Sequence, residues 1–211
     1  MSKLINDLAA DLTPVRPART VRITALAAAI GAAVSLGVLL LVYGVRPDFL
    51  SALGTLGFWA KLTLTLGLFA VMLPASARLS VPGGQARWWG MAAGGLVLVF
   101  ALGGVIEIAM TAPESRLELW LGHSWNECPF WVAGLSLPIF ASTMLAMRRL
   151  APVDLKAAGL AAGLMSGAAG ASVYAIACNE YSLAFMASWY VAGIALSGLA
   201  GFIAGPFLLR W

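Results

Sequence analysis

Residues 24–43 read TALAAAIGAAVSLGVLLLVY, an apolar run without a single charged side chain. About 20 such residues in a helix cross a bilayer core of about 30 Å. Similar runs recur near 55–77, 88–109, 129–147, 157–177 and 184–208. Loop signals separate them: Arg46-Pro47-Asp48, Pro82-Gly83-Gly84, Pro113-Glu114 and Pro152-Val153-Asp154. The composition agrees. Of 211 residues, 61% are hydrophobic and 10% charged, whereas a soluble domain carries roughly 25% charged residues. The expected fold is all-α: a polytopic membrane protein with six transmembrane helices over residues 24–211, behind an N-terminal segment of residues 1–23. No soluble catalytic domain fits beside six spans, so function sits in the bundle, the loops or that segment.

The cations set an orientation. With the N-terminus inside, Lys3, Arg16, Arg19, Arg22, Arg78, Arg87, Arg148, Arg149, Lys156 and Arg210 fall on the cytoplasmic side. Arg46 and Arg116 fall outside, with Lys61 near the boundary. Cytoplasmic loops of membrane proteins collect Lys and Arg, so both termini are expected in the cytoplasm and the bilayer is expected to be an inner membrane. The acids lean outward: Asp48, Glu107, Glu114, Glu118, Glu127 and Glu180. The same asymmetry explains the pI of about 9.4 without a nucleic-acid partner. Residues 1–23 do not read as a signal peptide, since acids come early and the following apolar run is long enough to span.

Small residues predict close helix packing. The fifth run carries Gly159, Gly163, Gly167 and Ala171; the sixth carries Gly193, Ser197, Gly201 and Gly205; the third adds Gly90 and Gly94. In lipid such ladders let backbones approach and gain dispersion contacts. They serve either packing within one chain or a seam between copies. The aromatic pairs Phe58-Trp59, Phe130-Trp131 and Trp189-Tyr190 fit an interfacial belt.

Three groups of residues can carry function. Cys128 opens the fourth run and Cys178 closes the fifth, each about 20 residues, or about 30 Å of helix, from the Arg148–Lys156 loop that joins them. The two cysteines therefore lie at similar depth at the outer ends of antiparallel neighbours. Three readings stand: a disulfide or redox switch, which an oxidising compartment permits; a metal site with Glu180, His123 or Glu127 nearby; or two small buried residues that never meet. Lys61 and Glu107 are the charges inside apolar runs, and intramembrane ionisable residues are functional candidates. They either pair, or sit apart as an interfacial lysine and a helix-end marker. Finally, Leu4, Ile5, Leu8 and Leu12 share one helical face, with Asp7 and Asp11 on another and Pro14 ending the run. Membrane-surface helices carry Lys and Arg on their polar face. This face is acidic, which points to a protein partner.

Absences narrow the field. One histidine supplies neither a bis-His haem nor an intramembrane Ser-His dyad, and there is no Cys-x-x-Cys pair or phosphate-binding glycine loop. No cofactor and no enzymatic activity are expected. A transporter or channel for a metal or small solute is the alternative, but it needs polar groups along a midplane path, and few are present.

The residues also resemble a known family. The stretch Leu4 to Arg16, LINDLAADLTPVR, resembles the start of the NrsF family, negative regulators of ECF sigma factors in proteobacteria. So do Arg46-Pro47-Asp48 before Phe58-Trp59-Ala60-Lys61, Cys128-Pro129, Ala151-Pro152, Tyr174 with Cys178 and Glu180, Trp189-Tyr190, and the closing Leu208-Leu209-Arg210-Trp211. The match runs in order along the whole chain. It implies a six-span inner-membrane anti-sigma factor. In such a protein Leu4, Ile5, Leu8, Asp11 and Leu12 belong to the segment that holds an ECF sigma factor away from RNA polymerase. Cys128 and Cys178 are then the sensing pair through which stress releases it. Ala177 stands where a histidine is common in the family, which weighs against a metal at the pair.

Overall fold

The computed structural model describes residues 17–210. Leu4, Ile5, Leu8, Asp11 and Leu12 lie outside them. Six helices are long and apolar enough to cross a membrane: α1 (Pro17–Val42), α2 (Leu56–Leu79), α3 (Arg87–Met110), α4 (Cys128–Met147), α5 (Leu155–Tyr174) and α6 (Leu183–Leu208). No strand occurs among the described residues.

Local chemistry starts these helices where the sequence places polar caps. The Thr55 hydroxyl accepts from Phe58 N at 3.3 Å at the head of α2. The Asp154 carboxylate accepts from Ala157 N at 2.9 Å at the head of α5. Ser182 accepts from Phe185 N at 3.3 Å at the head of α6. Each satisfies a donor that the first helical turn leaves free. α1 begins at Pro17 rather than near 24. Proline suits a first turn, which has no use for its missing N–H. Thr20 and Thr24 are buried, so the first turns of α1 already pack on the bundle. The boundary placed at 23/24 thus falls inside a continuous helix.

α5 is the axis of the bundle: 72% of its span is buried, against 6% of α3. The glycine ladders explain why. A methyl at Gly163 would stand 2.9 Å from Gly198 Cα and closer still to Ser197 O; one at Gly159 would meet Gly205 Cα at 2.9 Å and collide with Gly201 O. The ladders of α5 and α6 face each other within one chain. α1 approaches α4 in the same way at Gly31, which lies against the Ile139 backbone. There the Ser35 hydroxyl donates across to Leu135 O at 2.7 Å. α2 and α4 flank α5, while α3 lies outside, against α2 and the first turns of α6. Gly90 and Gly94 of α3 do not serve packing, since a methyl at either meets nothing within 4 Å.

The helix directions give the bundle two unlike ends. At one, the N-terminal turn of α1 lies beside the α2–α3 and α4–α5 turns, with Arg19, Arg22, Arg78, Arg87, Arg148, Arg149 and Lys156. At the other lie Cys128 and Cys178.

Candidate functional site: a clamp at the cysteine end

Cys128 is the first residue of α4, and Cys178 follows α5 in a turn where Ala177 N and Cys178 N both donate to Tyr174 O at 3.0 Å. Both are free thiols, both are buried, and both belong to one core cluster with Tyr174, Phe185, Met186 and Tyr190. α6 passes this cluster with a widened turn over Met186–Tyr190, the kind of helix irregularity that recurs at functional sites.

The main-chain carbonyl of Cys178 is the centre of the site. The Lys61 ammonium donates to it at 3.0 Å, and the Arg46 guanidinium donates to it through Nη1 at 3.0 Å. Lys61 is completely buried and lies over the rings of Tyr190, at 5.4 Å, and Tyr181, at 5.9 Å. Ring faces and a carbonyl dipole take the place of a counter-ion. Arg46 is held in turn by Asp48, Nε to Oδ1 at 2.7 Å and Nη2 to Oδ2 at 2.6 Å, and Nη2 also donates to the Tyr181 hydroxyl. The Arg46 hydrogen bonds hold the Asp48 carboxyl below the usual carboxylate range. The bond from Asp48 likewise raises Arg46 above its ordinary value, against the opposing effect of burial. Three segments, the turn after α1, α2 and the turn after α5, thus meet on one carbonyl.

Lys61 and Glu107 do not pair. The Glu107 carboxylate accepts from the Ser182 hydroxyl at 2.9 Å and from Ala184 N at 3.0 Å. It sits on the N-terminus of α6, where free N–H groups and the helix dipole favour a negative charge. Lys61 is turned inward to Cys178 rather than reaching the interface. Glu180, the third metal candidate, is also engaged elsewhere. Its Oε1 accepts from His123 N at 2.7 Å and lies 3.8 Å from His123 Nδ1. Among the described residues no three His, Cys, Asp or Glu side chains are grouped to hold a metal. Gly122 makes the His123 contact possible. Its φ of +60° suits glycine, and a methyl there would stand 2.7 Å from the Glu180 carboxyl carbon. A short helix, Arg116–Leu121, leads into this turn. It is docked on α6 by Trp120 Nε1 donating to the Ser188 hydroxyl at 2.9 Å and Trp189 Nε1 donating to Trp120 O at 3.0 Å.

A polar cavity of about 340 Å³ opens beside this cluster, lined by Tyr43, Arg46, His123, Glu127, Cys178 and Glu180. A small solute entering it reaches the Cys178 turn directly. Sequence reading singled out Cys178 and Lys61 but missed Arg46 and Tyr181 as their partners. The signal was faint: Arg46 is one of two cations, with Arg116, on an acidic side, two residues from Asp48.

The chain matches the NrsF family, described as "Negative regulator of sigma F", over residues 8–211. It belongs to that family. Two relatives are similar over nearly their full length. The "Probable anti-sigma-F factor NrsF" of Azospira oryzae is 36% identical over 208 residues, covering 99% of this chain and 98% of that protein. The "Anti-sigma-F factor NrsF" of Caulobacter vibrioides is 38% identical over 216 residues, with the same coverage. No solved structure matches the chain. NrsF proteins are regulators by description, not enzymes. The absence of a catalytic constellation in this sequence is consistent with that.

Proposed function

We propose that this chain is an inner-membrane anti-sigma factor. Its N-terminal segment, with Leu4, Ile5, Leu8, Asp11 and Leu12, holds a sigma factor of the ECF class at the cytoplasmic face. Cys128 and Cys178, on the periplasmic side, decide when it is released. Among the described residues, eight of the eleven Lys and Arg lie toward the α1 N-terminus, which supports this orientation.

The observation that carries the reading is the double grip on the Cys178 carbonyl. Arg46 lies four residues beyond the end of α1, and the N-terminal segment is attached at the other end of the same helix. An oxidant or a thiophilic cation that alters the thiols displaces the turn whose carbonyl Arg46 and Lys61 hold. Release of Arg46 frees the outer end of α1, and α1 transmits the change to the segment that binds the sigma factor. Such a signal works only if the two states of the bundle differ in sigma-factor affinity. A tenfold change needs about 1.4 kcal/mol, which is within the worth of one charged hydrogen bond.

The test is co-purification in detergent with an ECF sigma factor of the same bacterium. Full-length protein, a form lacking residues 1–16, and Leu8→Asp with Leu12→Asp are compared. Capture by the full-length chain alone supports the assignment. Equal capture by all three removes the N-terminal segment from the interface. Capture by the full-length chain that survives thiol oxidation unchanged removes the cysteines from the switch.

A further inference from the structure

We propose that the chain carries an anionic phospholipid site at its basic end. An acyl chain lies in the cleft between α2, α3, α5 and α6, and the headgroup is held by Arg78, Arg87 and Lys156. This rests on the membrane reading above.

The cleft has a volume of about 420 Å³, and its walls include Leu68, Leu79, Gly90, Gly94, Leu164 and Ile194. Every residue that lines it is apolar. It exists because α3 leans on α2 and on the far end of α6 and stands away from the axis helix α5. The two small residues of α3 that would permit closure face this open space instead. Along α2 the lining runs from Leu68 to Leu79, about 16 Å at 1.5 Å per residue. That is about half of a hydrocarbon core of about 30 Å. The cleft is therefore as deep as one leaflet, and it lies in the leaflet at the basic end. Hydrocarbon of that leaflet has the length and the chemistry to fill it.

The rim selects the headgroup. Leu79, Ala86 and Ala157 line the cleft at its basic end, and each adjoins an exposed cation: Arg78, Arg87 and Lys156. None of the three has a carboxylate partner among the described ion pairs. Lys156 lies 5.6 Å over the Phe202 ring of α6. Three cations without a carboxylate partner, each next in sequence to a residue of an apolar slot one leaflet deep, match a molecule with a negative head and an aliphatic tail. Basic pockets between membrane helices recognise anionic lipid heads by the same electrostatics.

The experiment uses the full-length protein purified in a neutral detergent. Native mass spectrometry measures retention of phosphatidylglycerol and of phosphatidylcholine with identical acyl chains. The expected result is at least tenfold tighter retention of phosphatidylglycerol. Arg78→Gln with Arg87→Gln and Lys156→Gln removes the preference while phosphatidylcholine is unaffected. Gly94→Leu, which fills the cleft, weakens both lipids. Equal retention of the two lipids by the unaltered protein overturns the proposal, as does an undiminished preference in the triple variant. The triple variant changes exposed side chains, so the test does not hang on whether Gly94→Leu folds. Sedimentation with membranes and capture of the sigma factor are measured on the same samples. Both persist if only the lipid site is wrong, whereas a chain that leaves the membrane fraction overturns the lipid site and the membrane reading together.

Discussion

Arg46→Gln is predicted to expose Cys178 without unfolding the bundle. In the folded protein Arg46 Nη1 donates to the Cys178 carbonyl at 3.0 Å from a side chain that is 1% exposed. A hydrogen bond from a charged group in such a setting is worth about 1.5–3 kcal/mol. The Asp48 arm adds little, because Asp48 is 49% exposed and water and salt screen an exposed ion pair. Lys61 stays on the same carbonyl in the variant, so no orphaned acceptor is left behind. The net loss is taken as about 2 kcal/mol, at the lower end of the charged-bond range. Where closing is faster than chemical attack, a buried thiol reacts in proportion to its locally open population. A loss of about 2 kcal/mol raises that population about thirtyfold, at tenfold per 1.4 kcal/mol. The assay is alkylation by a small maleimide in detergent, with peptide mass spectrometry following Cys128 and Cys178 separately. Cys178 should accelerate by about that factor and Cys128, inside α4, by much less. An unchanged Cys178 rate would refute the clamp. Equal acceleration of both thiols would show a global loosening rather than a local latch.

Other consequences are sharp enough to measure. Gly163→Val forces side-chain atoms into the α6 backbone and should cost about 1–3 kcal/mol, read as a lower thermal midpoint in detergent, while Gly95→Ala, which meets nothing within 4 Å, should stay within about 0.5 kcal/mol of the parent. Glu107→Ala removes the carboxylate that accepts from Ala184 N, leaving the Ser182 cap on Phe185 N, and should cost about 0.5–2 kcal/mol, whereas Lys61→Ala should leave Glu107 in place, because the two side chains do not pair; hydrogen exchange at Ala184 separates the cases. For pH the sign follows from Asp48, whose carboxyl is held below its usual range by Arg46. Its contribution is fully present above the unfolded value of about 3.9 and is lost as pH falls through the lowered folded value. Asp48 therefore adds no slope to the thermal midpoint between about pH 5 and 8, and a slope in that window that vanishes in Asp48→Asn would contradict this.

The six long apolar helices were legible because each needs little beyond itself. An apolar run of about 20 residues has one way to satisfy its backbone in lipid, which is a helix, and five of the six starts fall within two residues of where the runs begin. α1 was the exception, because Arg19 and Arg22 read as tail while Pro17 had already set the helical backbone. The ladders of α5 and α6 also announced their role, but Gly90 and Gly94 carried the same pattern and pack against nothing. Spacing shows that a helix face is small; it does not show that a neighbour comes to it.

The sequence by itself determined the helices, their number and the asymmetry of charge between the two ends, because hydrophobic length and Lys and Arg counts act residue by residue. It also brought Cys128 and Cys178 to the same end, since helix lengths on either side of a short turn fix depth. Only the tertiary structure decided the partners. Lys61 turned from Glu107 to the Cys178 carbonyl, Glu107 went to the α6 N-terminus, and Arg46 closed on the same carbonyl across 132 positions of chain. The reason is physical: a main-chain carbonyl or a free helix N-terminus is offered by every residue type, so no side-chain pattern marks it in advance. Such acceptors and donors gain their value only when packing removes water from around them.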